Sequence, residues 1–189
     1  ITLFSCDCNI FRNNKKVVVE APSTNTLPQT LVEMENAAIK LVKTAGFVGV
    51  GSAEFVYDPK SGKFFFFDFI PQVQIEHSRC TEMITQINIF ACLLQIAMGI
   101  NLNNIEDIRH LYHEGPWSTT VIDFKKPAKK PKPTGHVIGV RITAKHPDDL
   151  LKMPSSGTIE ELTFKSTSDV WGYFCYSALS DLMESQYGN

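Results

Sequence analysis

The spacing of apolar residues predicts a long helix in the first quarter of the chain. The apolar positions that recur at helical intervals are Leu31, Met34, Ala38, Leu41 and Ala45. Thr26 is a candidate capping residue and Pro28 suits the first helical turn. Gly46 is a natural stop, because glycine readily adopts the left-handed conformation that ends many helices. We therefore predict a helix from about residue 28 to 45.

β-Favouring runs predict strands on both sides of this helix and a hairpin after it. Lys16–Glu20 is rich in valine and reads as a short strand. Phe47–Tyr57 and Lys63–Phe69 flank Asp58-Pro59-Lys60-Ser61-Gly62, a sequence typical of a type I turn with a bulge. Both faces of the second hairpin strand are apolar, so we expect that strand to be central and buried.

The rest of the chain mixes helical and extended patterns. In order, these patterns predict helices at 81–98 and 103–112, then strands at 135–145, 157–164 and 170–176. The expected fold class is α+β. Arg141 lies inside an apolar strand, and a buried arginine needs an anionic partner such as Glu76 or a ligand.

A basic segment divides the chain at about residue 134. Residues 125–133 read KKPAKKPKP, with five lysines, three prolines and no acid. Proline removes backbone donors and the lysines repel one another, which favours an exposed linker. A nucleic-acid or membrane patch is the alternative, but no aromatic residues interleave and no amphipathic helix can form there.

Composition narrows the class of protein without identifying it. The 189 residues are 43% hydrophobic and 20% charged, with a net charge of −2, as in ordinary globular proteins. The absence of a basic excess argues against a dedicated nucleic-acid binder. Residues 87–100 form the longest apolar stretch, which is too short to span a bilayer. The first residue is Ile1 rather than methionine, which suggests an internal piece of a longer protein.

The cysteines indicate a reducing compartment. They are odd in number, irregularly spaced and form no CxxC pair: Cys6, Cys8, Cys80, Cys92 and Cys175. A structural zinc site is therefore not expected. Reduced thiols in a cytoplasmic protein are the ordinary interpretation.

The hairpin carries the most informative chemistry. With Lys60–Gly62 as the loop, Glu54 falls directly opposite Asp68. Two facing carboxylates repel each other unless a cation lies between them or one is protonated. Magnesium is the natural occupant, since it takes one or two carboxylates together with substrate phosphates. The alternatives are a register one residue different, or two acids that face water.

A Glu-His pair follows the hairpin. Glu76 and His77 lie in the predicted loop, where a glutamate beside a histidine could act as a general base. Such a pair is a weak signal by itself, and a solvated loop is the commoner explanation.

The segment Phe67–His77 resembles the biotin carboxylase signature. Eight further segments resemble the same family or its eukaryotic multidomain acetyl-CoA carboxylase branch: Asp7–Lys16, Glu20–Pro22, Thr81–Met83, Leu94–Ile100, Gly135–Ile138, Pro154–Thr158, Val170–Phe174 and Glu184–Gly188. The resemblance covers essentially the whole chain. It implies an ATP-grasp enzyme that uses MgATP and bicarbonate to make carboxyphosphate and then carboxylates biotin held on a carrier domain, in fatty-acid biosynthesis.

The resemblance also implies roles for particular residues. Glu54 and Asp68 match the metal ligands, in agreement with the hairpin argument. Glu76 matches the base that deprotonates bicarbonate, and Arg141 matches the residue that stabilises the biotin enolate. The positions that match bicarbonate- or biotin-binding residues are Lys16, Gln74, Ile75 and Arg141.

By the same resemblance, the chain divides into parts of two lobes. Residues 1–124 would be the second half of an ATP-grasp domain, 125–134 a linker and 135–189 the start of the biotin carboxylase C-terminal lobe. The family's N-terminal lobe and glycine-rich lid would precede it. ATP, Mg²⁺ or Mn²⁺ and carrier-bound biotin are the implied cofactors. The implied partners are biotin carboxyl carrier and carboxyltransferase domains.

Several positions depart from the family pattern. Gln72 replaces the catalytic arginine, and a neutral amide cannot bind an anion as a guanidinium does. Ile70 replaces a metal-site asparagine, and Asp68 is one methylene shorter than the family's glutamate. Phe11 and Asn14 replace two residues that contact ATP phosphates. Each lost transition-state contact typically costs ~10²–10³-fold in rate.

Three hypotheses follow from these observations. The chain is a segment of an ATP-dependent ligase of the acetyl-CoA carboxylase type, or a non-catalytic relic that keeps the fold. Another biotin-dependent carboxylase, for propionyl-CoA or pyruvate, fits the C-terminal motifs less well. The departures predict that the isolated chain is inactive. Half of an ATP-grasp domain would expose apolar surface, so we also expect aggregation or a homodimer.

Overall fold

The computed structural model describes residues 1–12, 15–143, 161 and 163–172. The chain forms two compact units, residues 1–141 and 142–189. In the second unit, the described residues 163–172 contain no helix or strand. The predicted strands at 157–164 and 170–176 are therefore wrong at residues 161, 163–164 and 170–172, which are not in strands. The remaining residues of both predicted strands lie outside the described residues.

The first unit has mixed helix and strand content. Its elements in chain order are β1 (Asp7–Arg12), β2 (Lys15–Ala21), α1 (Pro28–Thr44), β3 (Ser52–Asp58), β4 (Lys63–Ile70), a π-helical turn (His77–Thr81), α2 (Glu82–Thr85), α3 (Ile89–Ala97), a 3₁₀ turn (Leu102–Asn104), α4 (Glu106–Leu111) and β5 (Val137–Val140). Among the described residues, the strands form an antiparallel sheet in the order β1-β2-β5 and a separate β3-β4 hairpin.

The long first helix is confirmed, but its predicted cap is wrong. α1 begins at Pro28, and Leu27 occupies the cap position without a side-chain hydrogen bond. Thr26 contacts the Ser23 hydroxyl instead. Proline fixes the backbone of the first turn and has no N–H to satisfy, which makes a side-chain cap less necessary. Gly46, at φ +62°, ends the helix as predicted.

The predicted helix at 81–98 is two helices with a break. Gln86 adopts a left-handed conformation at φ 61°, where α2 ends. Asn88 then caps α3, and its side-chain oxygen accepts a hydrogen bond from the backbone N–H of Ala91. Asparagine is far more favourable at such a cap than inside a helix, so the apolar spacing concealed the boundary. The predicted helix at 103–112 is similarly shorter, and α4 covers only Glu106–Leu111.

Among the residues that the structure describes, the core consists of two clusters. The larger one surrounds α3 and α4 and comprises Ile87, Ile89, Cys92, Ile105, Ile108, Leu111, Tyr112 and Ile122. The smaller one joins β2 to the π-helical turn and α2 through Val19, Ala21, Cys80 and Ile84. Gly139 on β5 packs against this cluster so closely that an added Cβ would lie 2.9 Å from Cys80 Sγ. The sheet therefore packs directly against the segment that follows the Glu-His pair.

The burial predicted for the second hairpin strand is wrong. Phe65, Phe66 and Phe67 on β4 are 62%, 55% and 68% exposed. The hairpin is a sheet of its own, and no other described strand pairs with β4. By contrast, the basic segment 125–133 has neither helix nor strand and is mostly exposed, which confirms it as a loop.

In the described residues, no single helix is long and apolar enough to cross a membrane. The bent pair His77–Thr85 and Ile89–Ala97 meets that criterion only in combination, by length and composition.

Asp7 ties the start of β1 to the turn after β2. Its carboxylate accepts hydrogen bonds from the Ser23 hydroxyl, at 2.6 Å, and from the backbone N–H groups of Thr24 and Asn25. Burial by itself raises the pKa of Asp7, but these hydrogen bonds outweigh it and lower the pKa below its ordinary value. The folded state therefore favours the charged carboxylate.

We expect this carboxylate to make stability depend on acid pH. A lowered folded-state pKa contributes stability above the unfolded pKa of ~3.9, and that stability is lost as the pH falls through the folded value. Asp7→Asn should therefore flatten the acid part of a plot of unfolding free energy against pH, measured by urea unfolding. Glu33→Gln, at an exposed position on α1, is the control. An unchanged acid profile in Asp7→Asn would contradict this role.

Candidate functional site

Lys16 on β2 lies at the centre of a cluster of charged side chains. Its Nζ is 2.6 Å from Glu54 Oε1 on β3 and 2.5 Å from Glu76 Oε1 in the turn after β4. It also donates a 3.3 Å hydrogen bond to Gln74 Oε1. The side chains of Lys16, Glu54 and Glu76 are only 14%, 19% and 13% exposed. The cluster thus joins both sheets through mostly buried charges.

The surroundings of Lys16 keep it protonated. Burial alone lowers the pKa of Lys16, and this is the largest single effect. Contacts with Glu54 and Glu76 more than offset it, so the pKa lies above the ordinary value. The side chain is therefore an ammonium ion held between two carboxylates.

One carboxylate oxygen of the cluster, on Glu54, accepts no hydrogen bond from the described residues. Glu54 Oε1 is buried and accepts no hydrogen bond, although it forms the 2.6 Å ion pair with Lys16. Glu54 therefore has a charge partner but retains lone-pair capacity for a further cation.

The predicted pairing of Glu54 with Asp68 is confirmed, although the predicted loop is wrong. The strands close one pair earlier, with Asp58 opposite Lys63. Phe67 has no partner, and this bulge restores the register so that Glu54 lies opposite Asp68. The loop is one residue longer than predicted, and the bulge shifts the pairing back by one residue, so the predicted partner of Glu54 is unchanged.

The two acids fit a metal ion that takes its remaining ligands from elsewhere. Asp68 is exposed, and its Oδ1 accepts a 2.7 Å hydrogen bond from the backbone N–H of Phe69. The described residues contain no group of three or more His, Cys, Asp or Glu side chains placed to hold a metal. Magnesium commonly binds through one or two carboxylates plus phosphate oxygens and water, so the Glu54–Asp68 pair, in which Asp68 is exposed, suits it.

His77 takes no part in the Lys16 cluster and instead ties its elements together. Its Nε2 lies 2.7 Å from Ser52 Oγ on β3, and its Nδ1 accepts a 3.1 Å hydrogen bond from the backbone N–H of Gln74. Burial lowers the pKa of His77, against the raising effect of Glu76, so the ring is neutral at pH 7. Of the Glu-His pair, only Glu76 reaches Lys16. Local sequence patterns do not predict this tie, because Ser52 and His77 are 25 residues apart.

Arg141 is exposed, so its predicted burial is wrong. β5 ends at Val140, and the backbone N–H of Arg141 donates a 2.8 Å hydrogen bond to the carbonyl of Val17. Arg141 thus lies across from the residue next to Lys16. Because the chain leaves the sheet after Val140, the side chain of Arg141 is exposed.

The other predicted site residues lie at the rim of the cluster or away from it. Ile75, between Gln74 and Glu76, is 58% exposed, and Gln72 is exposed as well. Ile70 is half-buried and lies opposite Ser52. Phe11 is 53% exposed on β1, and Asn14 lies outside the described residues.

The thiols near the cluster are protonated. Burial is the main cause that raises the pKa of Cys6 to about 12 and that of Cys8 to about 11. Cys6, Cys8, Cys80 and Cys92 are free, as expected of reduced thiols, whereas Cys175 lies outside the described residues. Mg²⁺ is a hard cation that prefers oxygen ligands to sulfur, so the carboxylates are the candidate ligands.

Comparison with known proteins gives consistent matches. The profile of the family described as carbamoyl-phosphate synthase L chain, ATP binding domain, matches residues 1–105. The mitochondrial acetyl-CoA carboxylase of Saccharomyces cerevisiae is 47% identical over 192 residues, which cover 100% of this chain and 8% of that protein. The chain therefore spans less than a tenth of the length of these curated relatives.

Solved structures with similar folds come from Kluyveromyces lactis. Its urea carboxylase aligns with a TM-score of 0.61 at 26% identity, over 79% of this chain and 11% of that chain. The urea amidolyase of the same yeast aligns with the same TM-score and identity and is covered to 8%.

Proposed function

Because the chain belongs to the carbamoyl-phosphate synthase L chain ATP-binding domain family and corresponds to a biotin carboxylase region of the acetyl-CoA carboxylase type, we propose that it contributes the bicarbonate and metal end of a biotin carboxylase site. The reaction is the MgATP- and bicarbonate-dependent carboxylation of carrier-bound biotin. The observation that carries the proposal is Lys16, held between Glu54 and Glu76, with Asp68 opposite Glu54.

Each residue of the cluster has a distinct task in this proposal. Lys16 and Gln74 bind and orient bicarbonate, whose oxygen replaces one of the present acceptors of the ammonium ion. Glu76 accepts the proton of bicarbonate, because its carboxylate lies beside the ammonium ion that would hold the bicarbonate. Glu54 and Asp68 hold Mg²⁺ or Mn²⁺, which when bound neutralises phosphate charge on ATP. The backbone of Ile75 completes the bicarbonate site.

Arg141 has the remaining proposed task, which is to stabilise the biotin enolate. Its exposure and its place across from Val17 support this, because a substrate carried by another domain must approach from solvent. The proposed partners are therefore a biotin carboxyl carrier domain and a carboxyltransferase domain, with a homodimer as a further form. The cytoplasmic location stays a prediction, since the yeast relative is named as mitochondrial.

We further propose the lobe boundaries drawn from the sequence. Residues 1–124 belong to the ATP-grasp part, 125–134 are the linker and 135–189 begin the C-terminal lobe. β5 pairs with β2, so the first strand after the linker completes the sheet that carries Lys16.

A second candidate function is a non-catalytic relic that keeps the fold. Ile70 offers no oxygen beside the metal pair, and Gln72 offers no charge at the anion site. These two positions favour an isolated chain without measurable catalysis. The two candidates differ in whether the remaining cluster still binds its ligands.

Manganese binding tests the proposed metal pair. We expect the chain to bind Mn²⁺, measured by the loss of the free-ion electron paramagnetic resonance signal. Glu54→Gln and Asp68→Asn should each weaken binding by at least the ~10-fold typical of losing an outer-shell partner. Asp58→Asn, which removes a charge at the other end of the same hairpin, is the matched control. Equal binding by all variants would contradict the assignment.

A further inference from the structure

We propose that His77 is a positioning residue that fixes Glu54 and Glu76 at the separation needed to share Lys16. The inference deepens the proposed function and rests on it, because it concerns the same cluster. His77 joins Ser52, two residues before Glu54 on β3, to the turn that carries Gln74 and Glu76. Both glutamates thereby belong to one hydrogen-bonded frame.

The hydrogen bonds define the state of the ring. Nδ1 accepts from the backbone N–H of Gln74, so it carries no proton. In the neutral ring the proton must then be on Nε2, which donates to Ser52 Oγ at 2.7 Å. A protonated ring would lose the bond to Gln74. The neutral imidazole with its proton on Nε2 is the form that holds both sides at once.

The turn carrying Glu76 is exposed in part. Ile75 is 58% exposed and Gln72 is also exposed, whereas Val73 packs against the larger core cluster and Gln74 and Glu76 contact Lys16. His77 itself is only 8% exposed and is the buried residue nearest to Glu76 along the chain. Its two side-chain hydrogen bonds join this turn to β3, in addition to the contacts that Gln74 and Glu76 make with Lys16.

His77 is a positioning residue rather than a catalytic one. Both ring nitrogens are engaged by the protein, and the ring is buried. Neither nitrogen is available to a substrate. The ring acts through Glu54 and Glu76, so its loss should disturb the contacts of Lys16 even when the fold survives.

The test uses Ser52→Ala in the full chain, which removes one side of the tie with a small change in volume. The readout is the ¹⁵N signal of the Lys16 ammonium group, which we expect to be slow to exchange in the unaltered chain and broadened in the variant. Mn²⁺ affinity should fall by about 10-fold, as for other outer-shell partners. Ser52→Thr, which keeps the hydroxyl, should restore both.

Ser61→Ala is the matched control, because it also removes a serine hydrogen bond, to Asp58, at the far end of the same hairpin. It should leave the Lys16 signal and Mn²⁺ affinity unchanged. His77→Gln provides a second variant with the expected loss. The imidazole ¹⁵N spectrum of the unaltered chain should show the proton on Nε2, and this measurement needs no variant that might fail to fold.

Two results would overturn the inference. One is a proton on Nδ1 of His77, and the other is an unchanged Lys16 signal in both Ser52→Ala and His77→Gln. If the unaltered chain binds no Mn²⁺, the proposed metal function fails instead. The Lys16 signal still decides the role of His77 in that case, because it requires no metal.

Discussion

Restoring the family's arginine and asparagine, by Gln72→Arg and Ile70→Asn in a complete carboxylase that carries this segment, is expected to raise biotin carboxylation by ~10²–10³-fold. A guanidinium at residue 72 supplies the bidentate cation that an anionic substrate requires, which an amide cannot replace. An asparagine at residue 70 adds an oxygen two residues from Asp68, beside the metal pair. The measurement is the bicarbonate-dependent rate of biotin carboxylation.

The structure favours tolerance of both changes. Gln72 is exposed, so a longer charged side chain there does not have to be buried. Ile70 is half-buried at the end of β4, opposite Ser52, where a side chain of similar length can reach solvent. Gln29→Arg adds the same charge at an exposed position on α1 and is the control. If the restored protein gains no activity, either the match of these positions to the family is wrong or other residues of the segment are also defective.

Replacing Lys16 by methionine is expected to lower the free energy of unfolding by about 3 kcal/mol. The change keeps the length of the side chain but leaves Glu54 and Glu76 as neighbouring, mostly buried charges without their cation. Removing one partner of a buried ion pair typically costs ~3–5 kcal/mol, and the lower end applies because each side chain retains some contact with water. Urea unfolding at pH 7 measures the effect.

Lys15→Met is the control for Lys16→Met. Lys15 is the neighbouring residue on β2, but it is exposed, and surface charges typically contribute ~0–1 kcal/mol. The triple variant Lys16→Met, Glu54→Gln and Glu76→Gln should recover part of the lost stability, because it leaves no unpaired buried charge. A cost for Lys16→Met no larger than that for Lys15→Met would show that the cluster does not stabilise the fold.

Local patterns in the sequence were sufficient for elements that depend on nearby residues. The apolar spacing of α1 and the turn residues of the hairpin each specify their structure within a few positions. The pairing of Glu54 with Asp68 was correct, although it depends on a bulge at Phe67 that no turn rule indicates. The break at Gln86 was missed because continuous apolar spacing runs through it.

Contacts between residues that are far apart in sequence could not be predicted from local patterns. Gln74 and Glu76 meet Lys16 across 58 and 60 residues of sequence, so only the family resemblance placed them together. The exposure of Arg141 depends on where the chain leaves the sheet, which strand alternation does not specify. The tie from His77 to Ser52 joins two elements whose separate patterns give no sign of each other.

The exposed phenylalanines of β4 have a consequence for the lifetime of the chain in a cell. Phe65, Phe66 and Phe67 are consecutive, aromatic and more than half exposed. Chaperones and proteases continuously sort proteins by the apolar segments that they expose. We expect the half-life of the chain in the cell to be short while these rings face water. Its abundance would then be set by degradation as much as by synthesis.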